Sequence, residues 1–244
     1  MMLRSFAAAA MLLAATMSGT SIAGDQRLLV LDGSWVKWGT PQWGAGATVT
    51  YGFASQALKS PTARNCASLV PFDEVVKRTG LANDRLRGEA EAAFAAWSKV
   101  TGLTFVETAD AAKADILIGA QGSPAGWAFT NIELDTVSQA QAPAIERGLT
   151  GKADEPAGQA AAHSIRSIRQ ALICLNPLAK WKIGFDGNLN SYDLRYTFMH
   201  EIGHAIGLDH PGAAGALMGF RYDEKLKGPT RSDSEAAQRL YGLR

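Results

Sequence analysis

The chain has 244 residues and a formal net charge of +1, with 47% hydrophobic and 19% charged residues. That length suits one domain of ordinary size, with enough core to fold without metal or disulfide staples. The near-neutral charge argues against a nucleic-acid partner, which needs a net basic footprint or stripe, and the composition excludes disordered, collagen-like and disulfide-scaffold classes. Four histidines stand at 163, 200, 204 and 210, so three of them fall within eleven residues.

Residues 1–23 have the pattern of a secretory signal peptide. Arg4 supplies the positive start, Phe6 to Ala15 an apolar run too short to span a bilayer, and Ser21-Ile22-Ala23 the small residues before a cleavage point. Residues 24–244 then form a single domain with no integral membrane segment. Loss of Arg4 takes 24 basic residues to 23, against 23 acidic ones. Export, to the periplasm or the outside, puts Cys66 and Cys174 in an oxidising compartment. As the two cysteines of the chain they read as one disulfide, with two buried thiols or a metal-bound thiol as the alternatives.

Along the chain, Leu28–Leu31 reads as a short strand or an N-terminal strap. Residues 46–54 alternate and are rich in β-formers, so they predict a strand. Residues 55–83 hold Pro61, Pro71 and Gly80 and read as a loop or irregular insertion. Asn83 or Asp84 caps a helix over 84–101, whose Leu86, Ala90, Phe94, Trp97 and Val100 recur at helical spacing. Gly102 stops that helix just past its end. Strands follow at Leu103–Glu107 and Ala114–Ile118. Residues 134–166 are rich in Ala, Gln and Gly and read as a short helix or a long surface loop. Ile168–Leu175 predicts a further strand. A helix starts near Ser191 and runs to Leu208. A last helix starts at Ser232, where Ser232 and Glu235 have capping-box spacing, and ends before Gly242.

The chemistry concentrates in His200-Glu201-Ile202-Gly203-His204-Ala205-Ile206-Gly207-Leu208-Asp209-His210. Helical residues four apart share a face, so His200 and His204 point the same way one turn apart. Two imidazoles so placed can reach one Zn²⁺ at ~2.0–2.1 Å. Glu201 lies one residue round and can reach a metal-bound water without becoming a ligand. A straight helix would carry residue 210 past the metal. Gly207 can take the positive-φ turn that bends the chain back and lets His210 supply a third nitrogen. Three neutral imidazoles leave the ion an open position, the mark of a catalytic rather than a structural site. A chance match to all five fixed residues is on the order of a few in a million at this composition. Ala216-Leu217-Met218-Gly219 follows; taken alone Met218 reads as core packing, and beneath a metal as a turn methionine that supports the site without joining it.

This spacing, followed by a methionine turn, resembles the metzincin clan of zinc endopeptidases. Residues 93–107 and 114–119 resemble the helix and strands of matrixin catalytic domains, residues 192–208 their active-site helix, and residues 234–242 their closing helix. Trp38-Gly39, residues 48–53 and Pro211-Gly212 are more similar to serralysins. The resemblance implies an α+β fold: a twisted, mostly parallel sheet with an antiparallel edge strand, packed on helices that include the active-site helix. It implies a secreted, monomeric zinc endopeptidase acting on protein or peptide substrates with Glu201 as general base. It maps the substrate-binding sheet edge to Gly126–Thr130, with Trp127 and Phe129 either at the pocket or in the core. The wall of the pocket beyond the scissile bond maps to Phe220–Tyr222.

Departures from the family pattern are informative. Serralysins and astacins carry a zinc-reaching tyrosine two residues after the turn methionine, and this chain has Phe220 there, with Tyr222 not equivalent. Matrixins place a histidine-rich structural zinc loop before the active-site helix, but that region here holds only His163, read as a surface or loop histidine, so a second zinc is not expected. Calcium is usual in the family and cannot be assigned to residues. Cys66 lacks the flanking sequence of the family's zymogen switch. Two rival readings remain: a zinc-containing peptide-binding module that turns nothing over, and a structural protein stapled by the histidines.

Overall fold

The computed structural model describes residues 27–61, 63, 65–135, 164–212 and 214–244. The leader assigned to 1–23, His163 and most of the 134–166 stretch lie outside the described residues.

The fold is built around β7 (Ile116–Gln121), every residue of which is buried. A strand covered on both faces needs apolar or small residues throughout, and Ile-Leu-Ile-Gly-Ala supplies them. It pairs in parallel with β3 (Ala47–Phe53) on one flank and β9 (Ser164–Leu175) on the other. The sheet continues in parallel from β3 to β6 (Leu103–Glu107) and from β9 to β2 (Ser34–Lys37). β1 (Val30–Leu31) runs antiparallel to β2, and β4 (Leu58–Lys59) and β5 (Ser68–Val70) add an antiparallel extension beside β7. β8 (Ala128–Leu134) lies antiparallel to β9, from Ala128 opposite Leu175 to Leu134 opposite Ile168. Among the described residues β8 pairs with β9 alone, so its other edge is open. The architecture is therefore the expected α+β arrangement, mostly parallel with an antiparallel edge strand.

The alternating side chains of the central strands feed two cores. Ile116, Ile118, Ala171 and Ile173 face the helical layer, where α2 (Asn83–Val100), α3 (Leu194–Ala205) and α4 (Arg231–Tyr241) contribute Phe94, Trp97, Phe198, Ile202 and Leu240. On the opposite face Leu117, Leu172 and Cys174 meet Ala54, Cys66 and Leu69. Cys66 and Cys174 are joined there by a disulfide across a sequence separation of 108.

Several boundaries differ from those expected. The 55–83 stretch is not all irregular: it holds β4, β5 and α1 (Asp73–Thr79), each too short to show a period. α2 is preceded by Ala82 with no side-chain cap, and it ends at an extended Thr101 rather than at a left-handed glycine. Gly102 is required for another reason, since a Cβ there would collide with Tyr241 O. β7 starts two residues late and continues to Gln121, and β9 starts four residues early, at Ser164. The capping box of α4 is Thr230 with Asp233, not Ser232 with Glu235.

The disulfide closes a long loop, and such links act largely by restricting the unfolded chain. Replacing both cysteines by serine is expected to lower the unfolding free energy by about 2–5 kcal/mol in urea titrations.

Candidate active site

α3 carries the histidine motif, and the structure sets its two ends by different means. Asp193 is its N-cap, accepting from Tyr196 N at 2.8 Å. Tyr192 and Asp193 pair as β11 with β10 (Trp181–Lys182), so the helix begins at Leu194 rather than near Ser191. It ends at Ala205, three residues before the expected Leu208. Gly207 follows with φ of 95°, and a Cβ there would also strike Val36 O. Helix ends leave carbonyls without partners. Here Trp38 Nε1 donates to Ala205 O at 2.8 Å, and Tyr241 Oη donates to Ile206 O at 2.8 Å.

Beyond Gly207 the chain reverses and is strapped down. Leu29 N donates to Gly207 O at 2.8 Å and Asp209 N to Arg27 O at 3.0 Å, with Leu28 bridging Leu208. The N-terminal segment is thus a strap over the loop that delivers His210. His210 Nε2 comes to 3.2 Å from both His200 Nε2 and His204 Nε2. Among the described residues these three form the one group of three or more His, Cys, Asp or Glu side chains able to share a metal ion.

The donor set fits zinc. His200 Nδ1 faces Leu217 O at 2.8 Å, and His204 Nδ1 faces Leu208 O at 2.9 Å. A carbonyl only accepts, so each Nδ1 carries the proton and each Nε2 presents a lone pair. A metal ion would give the Nε2 atoms of His200, His204 and His210 a common partner. Nitrogens bonded at ~2.0–2.1 Å to a tetrahedral ion sit about 3.3 Å apart. Burial and the neighbouring imidazoles push His204 well below its usual range, and burial first, then His200, takes His210 down to about 4. Both shifts favour the neutral imidazole, the form a metal ligand must take.

Glu201 is buried, and its carboxylate Oε2 accepts from Thr130 Oγ1 at 2.6 Å. The same hydroxyl lies 3.0 Å from Glu201 O. Burial pushes the Glu201 carboxyl up, while His200 and the Thr130 hydrogen bond pull it back. A base working on water near neutrality needs this direction of shift. Thr130 belongs to β8, so the open sheet edge and the carboxylate are physically linked.

Met218 is 1% exposed and lies under α3, where a Cβ on Gly203 would collide with its sulfur. Asp233 at the start of α4 holds the turn, accepting from Leu217 N at 2.8 Å and Met218 N at 3.2 Å. Leu217 O is the carbonyl that orients His200, so this carboxylate acts on the site through the turn.

A cleft of about 800 Å³ runs along β8 and over the three histidines and Glu201. All four suggested substrate-contact residues line it. Trp127 is 40% exposed, so it is not core, and its ring lies 3.7 Å from that of Tyr192. Phe129 is half-buried. Phe220 is 83% exposed and stacks on His210 at 3.9 Å, shielding one face of that ring. Tyr222 Oη accepts from Asp193 N at 2.9 Å and donates to Glu224 Oε1 at 2.7 Å, so its hydroxyl is engaged away from the histidines. Thr130, Tyr192 and Asp233 were not singled out by sequence for these roles. Thr130 is 71 positions from Glu201, and nothing local to either residue announces the pair.

Comparison with known proteins agrees with this geometry. Stromelysin-3 of Rattus norvegicus is 30% identical over 166 residues, covering 66% of this chain and 28% of the stromelysin-3 sequence. The similarity thus spans well under two thirds of that relative. Residues 74–242, which hold the histidines, Glu201, Thr130 and the methionine turn, match the matrixin peptidase family, and the chain belongs to that family.

Proposed function

We propose that the protein is a secreted zinc-dependent endopeptidase that cuts extended protein or peptide substrates. The observation that carries this reading is the convergence of three imidazole Nε2 atoms beside a buried, hydrogen-bonded Glu201, at the floor of a cleft flanked by an open strand edge. Export is supported by the leader-like residues 1–23 and the Cys66–Cys174 bridge. No helix among the described residues is long and apolar enough to cross a membrane.

His200, His204 and His210 would hold the ion. Zinc bound there supplies Lewis acidity, acidifying water and polarising the scissile carbonyl. Thr130 engages Glu201 Oε2 and leaves Oε1 for the water. Glu201 takes the proton from the attacking water and returns it to the departing amine nitrogen, so one carboxylate serves as base and then acid. The substrate main chain adds to β8 as a further strand, which supplies hydrogen bonds independent of sequence. Trp127 and Phe129 then stand at the rim, and Phe220 and Tyr222 bound the cleft on the other side.

The test is digestion of a denatured protein read by mass spectrometry. Cleavage is expected from the parent, to be lost with a zinc chelator and restored by zinc. Glu201→Gln is expected to keep its zinc and lose at least about a hundredfold in kcat. Peptide cleavage by that variant at the parent rate would overturn the mechanism. Zinc and peptide binding without turnover in the parent would instead identify a silent binding module.

Thr130→Val removes the hydroxyl but keeps the shape of the strand. Zinc content is expected to stay unchanged while kcat/KM falls roughly tenfold, the worth of one hydrogen bond to a charged group.

A further inference from the structure

The segment between Met218 and Asp233 carries the wall of the cleft, and its apolar contact with the core comes from two partly buried side chains, Tyr222 and Leu226. Its one buried residue is Glu224, a carboxylate 9% exposed. A charge so placed needs a partner, and the Lys182 ammonium provides it, from a side chain only 11% exposed. The same ammonium bonds Asp186 Oδ1 and donates to Asn188 O at 2.7 Å. Two carboxylates and a backbone carbonyl therefore surround it, which is the oxygen donor set of a hard divalent cation.

The consequences reach the cleft through Glu224. Its Oε2 accepts from Gly187 N at 2.6 Å, and its Oε1 accepts from Tyr222 Oη at 2.7 Å. The Tyr222 ring lies 4.7 Å from Tyr192 and meets Tyr196 edge-on at 4.8 Å, and with Trp127 these rings make the aromatic end of the cleft. Tyr222 Oη also receives Asp193 N, from the residue that caps the active-site helix.

We infer that Lys182 is a positioning residue, a tethered cation that anchors Glu224 and thereby sets where Tyr222 stands in the cleft wall and which substrate side chain that wall accepts. This rests on the peptidase reading proposed above. The side chain selected is apolar, because the wall offers aromatic rings and its hydroxyl is already engaged. An exposed lysine–carboxylate pair would have little effect. Here both partners are largely withdrawn from water, and removing one leaves the other uncompensated.

The experiment compares the zinc-loaded parent with Lys182→Met, Lys182→Arg and Lys182→Ala, using peptides that place leucine or alanine at each position flanking the scissile bond. Lys182→Met is expected to raise KM for the preferred leucine peptide roughly tenfold while kcat stays within about twofold, and Lys182→Arg is expected to restore the preference. Lys182→Ala leaves Asp186, Glu224 and Asn188 O without their cation. Millimolar calcium is therefore expected to raise its Tm by more than it raises the parent's. If the parent cleaves no peptide, the peptidase reading fails, and the calcium-dependent Tm still tests the tethered cation. Unchanged leucine preference in Lys182→Met, or an equal loss on every peptide, would overturn the inference, as would equal calcium shifts in the Lys182→Ala variant and the parent.

Discussion

The site depends on where the active-site helix stops. Two imidazoles one turn apart make only half of a metal site, and the third must come from a chain that has turned back. Gly207 permits that turn with φ of 95°, but permission is not enough. The carbonyls freed at the helix end must be satisfied, and Trp38 and Tyr241 reach in from opposite ends of the chain to do so. The N-terminal strap then holds Gly207 O and the residues beyond it. Strand, strap and closing helix thus meet at one helix terminus, and the position of His210 follows from their agreement.

Around this point each buried polar group of the site is committed to one task. The histidine Nδ1 protons go to Leu217 O and Leu208 O, which leaves Nε2 for the metal. The Leu217 carbonyl is itself placed by Asp233, through the methionine turn. Glu201 is fastened to β8 by Thr130, so its carboxylate and the open strand edge are held as one piece. Preorganisation of this kind matters because a carboxylate free to rotate would spend much of its time out of reach of the water.

The two sides of the cleft are held by different forces. β8 is fixed by a full ladder to β9 and by the core beneath it. The opposite wall, from Gly219 to Thr230, packs only Tyr222 and Leu226 against the core, both partly buried, and adds the paired carboxylate of Glu224 and ammonium of Lys182. A strand ladder and packing hold one side, while on the other a lighter apolar contact is joined by an ion pair and a tyrosine hydroxyl.

Much of the site was legible in eleven residues because a helix converts sequence spacing into spatial spacing. His200, Glu201 and His204 had predictable directions, and Gly207 was marked by the need to reverse the chain. The strands at 47–53 and 103–107 were equally plain from alternation and β-rich composition. The helix caps were misplaced because several Ser, Thr and Asp residues near each start could serve. The choice of Asp193 and of Thr230 with Asp233 came from strand pairing and from the methionine turn. By itself the sequence marked the cluster of His200, Glu201, His204 and His210, because helical spacing and one glycine turn place them, and its resemblance to matrixins implied the fold class. Only the tertiary structure decided that Thr130 holds the Glu201 carboxylate, that Trp38 and Tyr241 close the helix, and that Lys182 pairs with Glu224 behind the cleft wall. Those contacts join residues 35 to 167 positions apart, and no local periodicity can encode which distant donor will meet which acceptor.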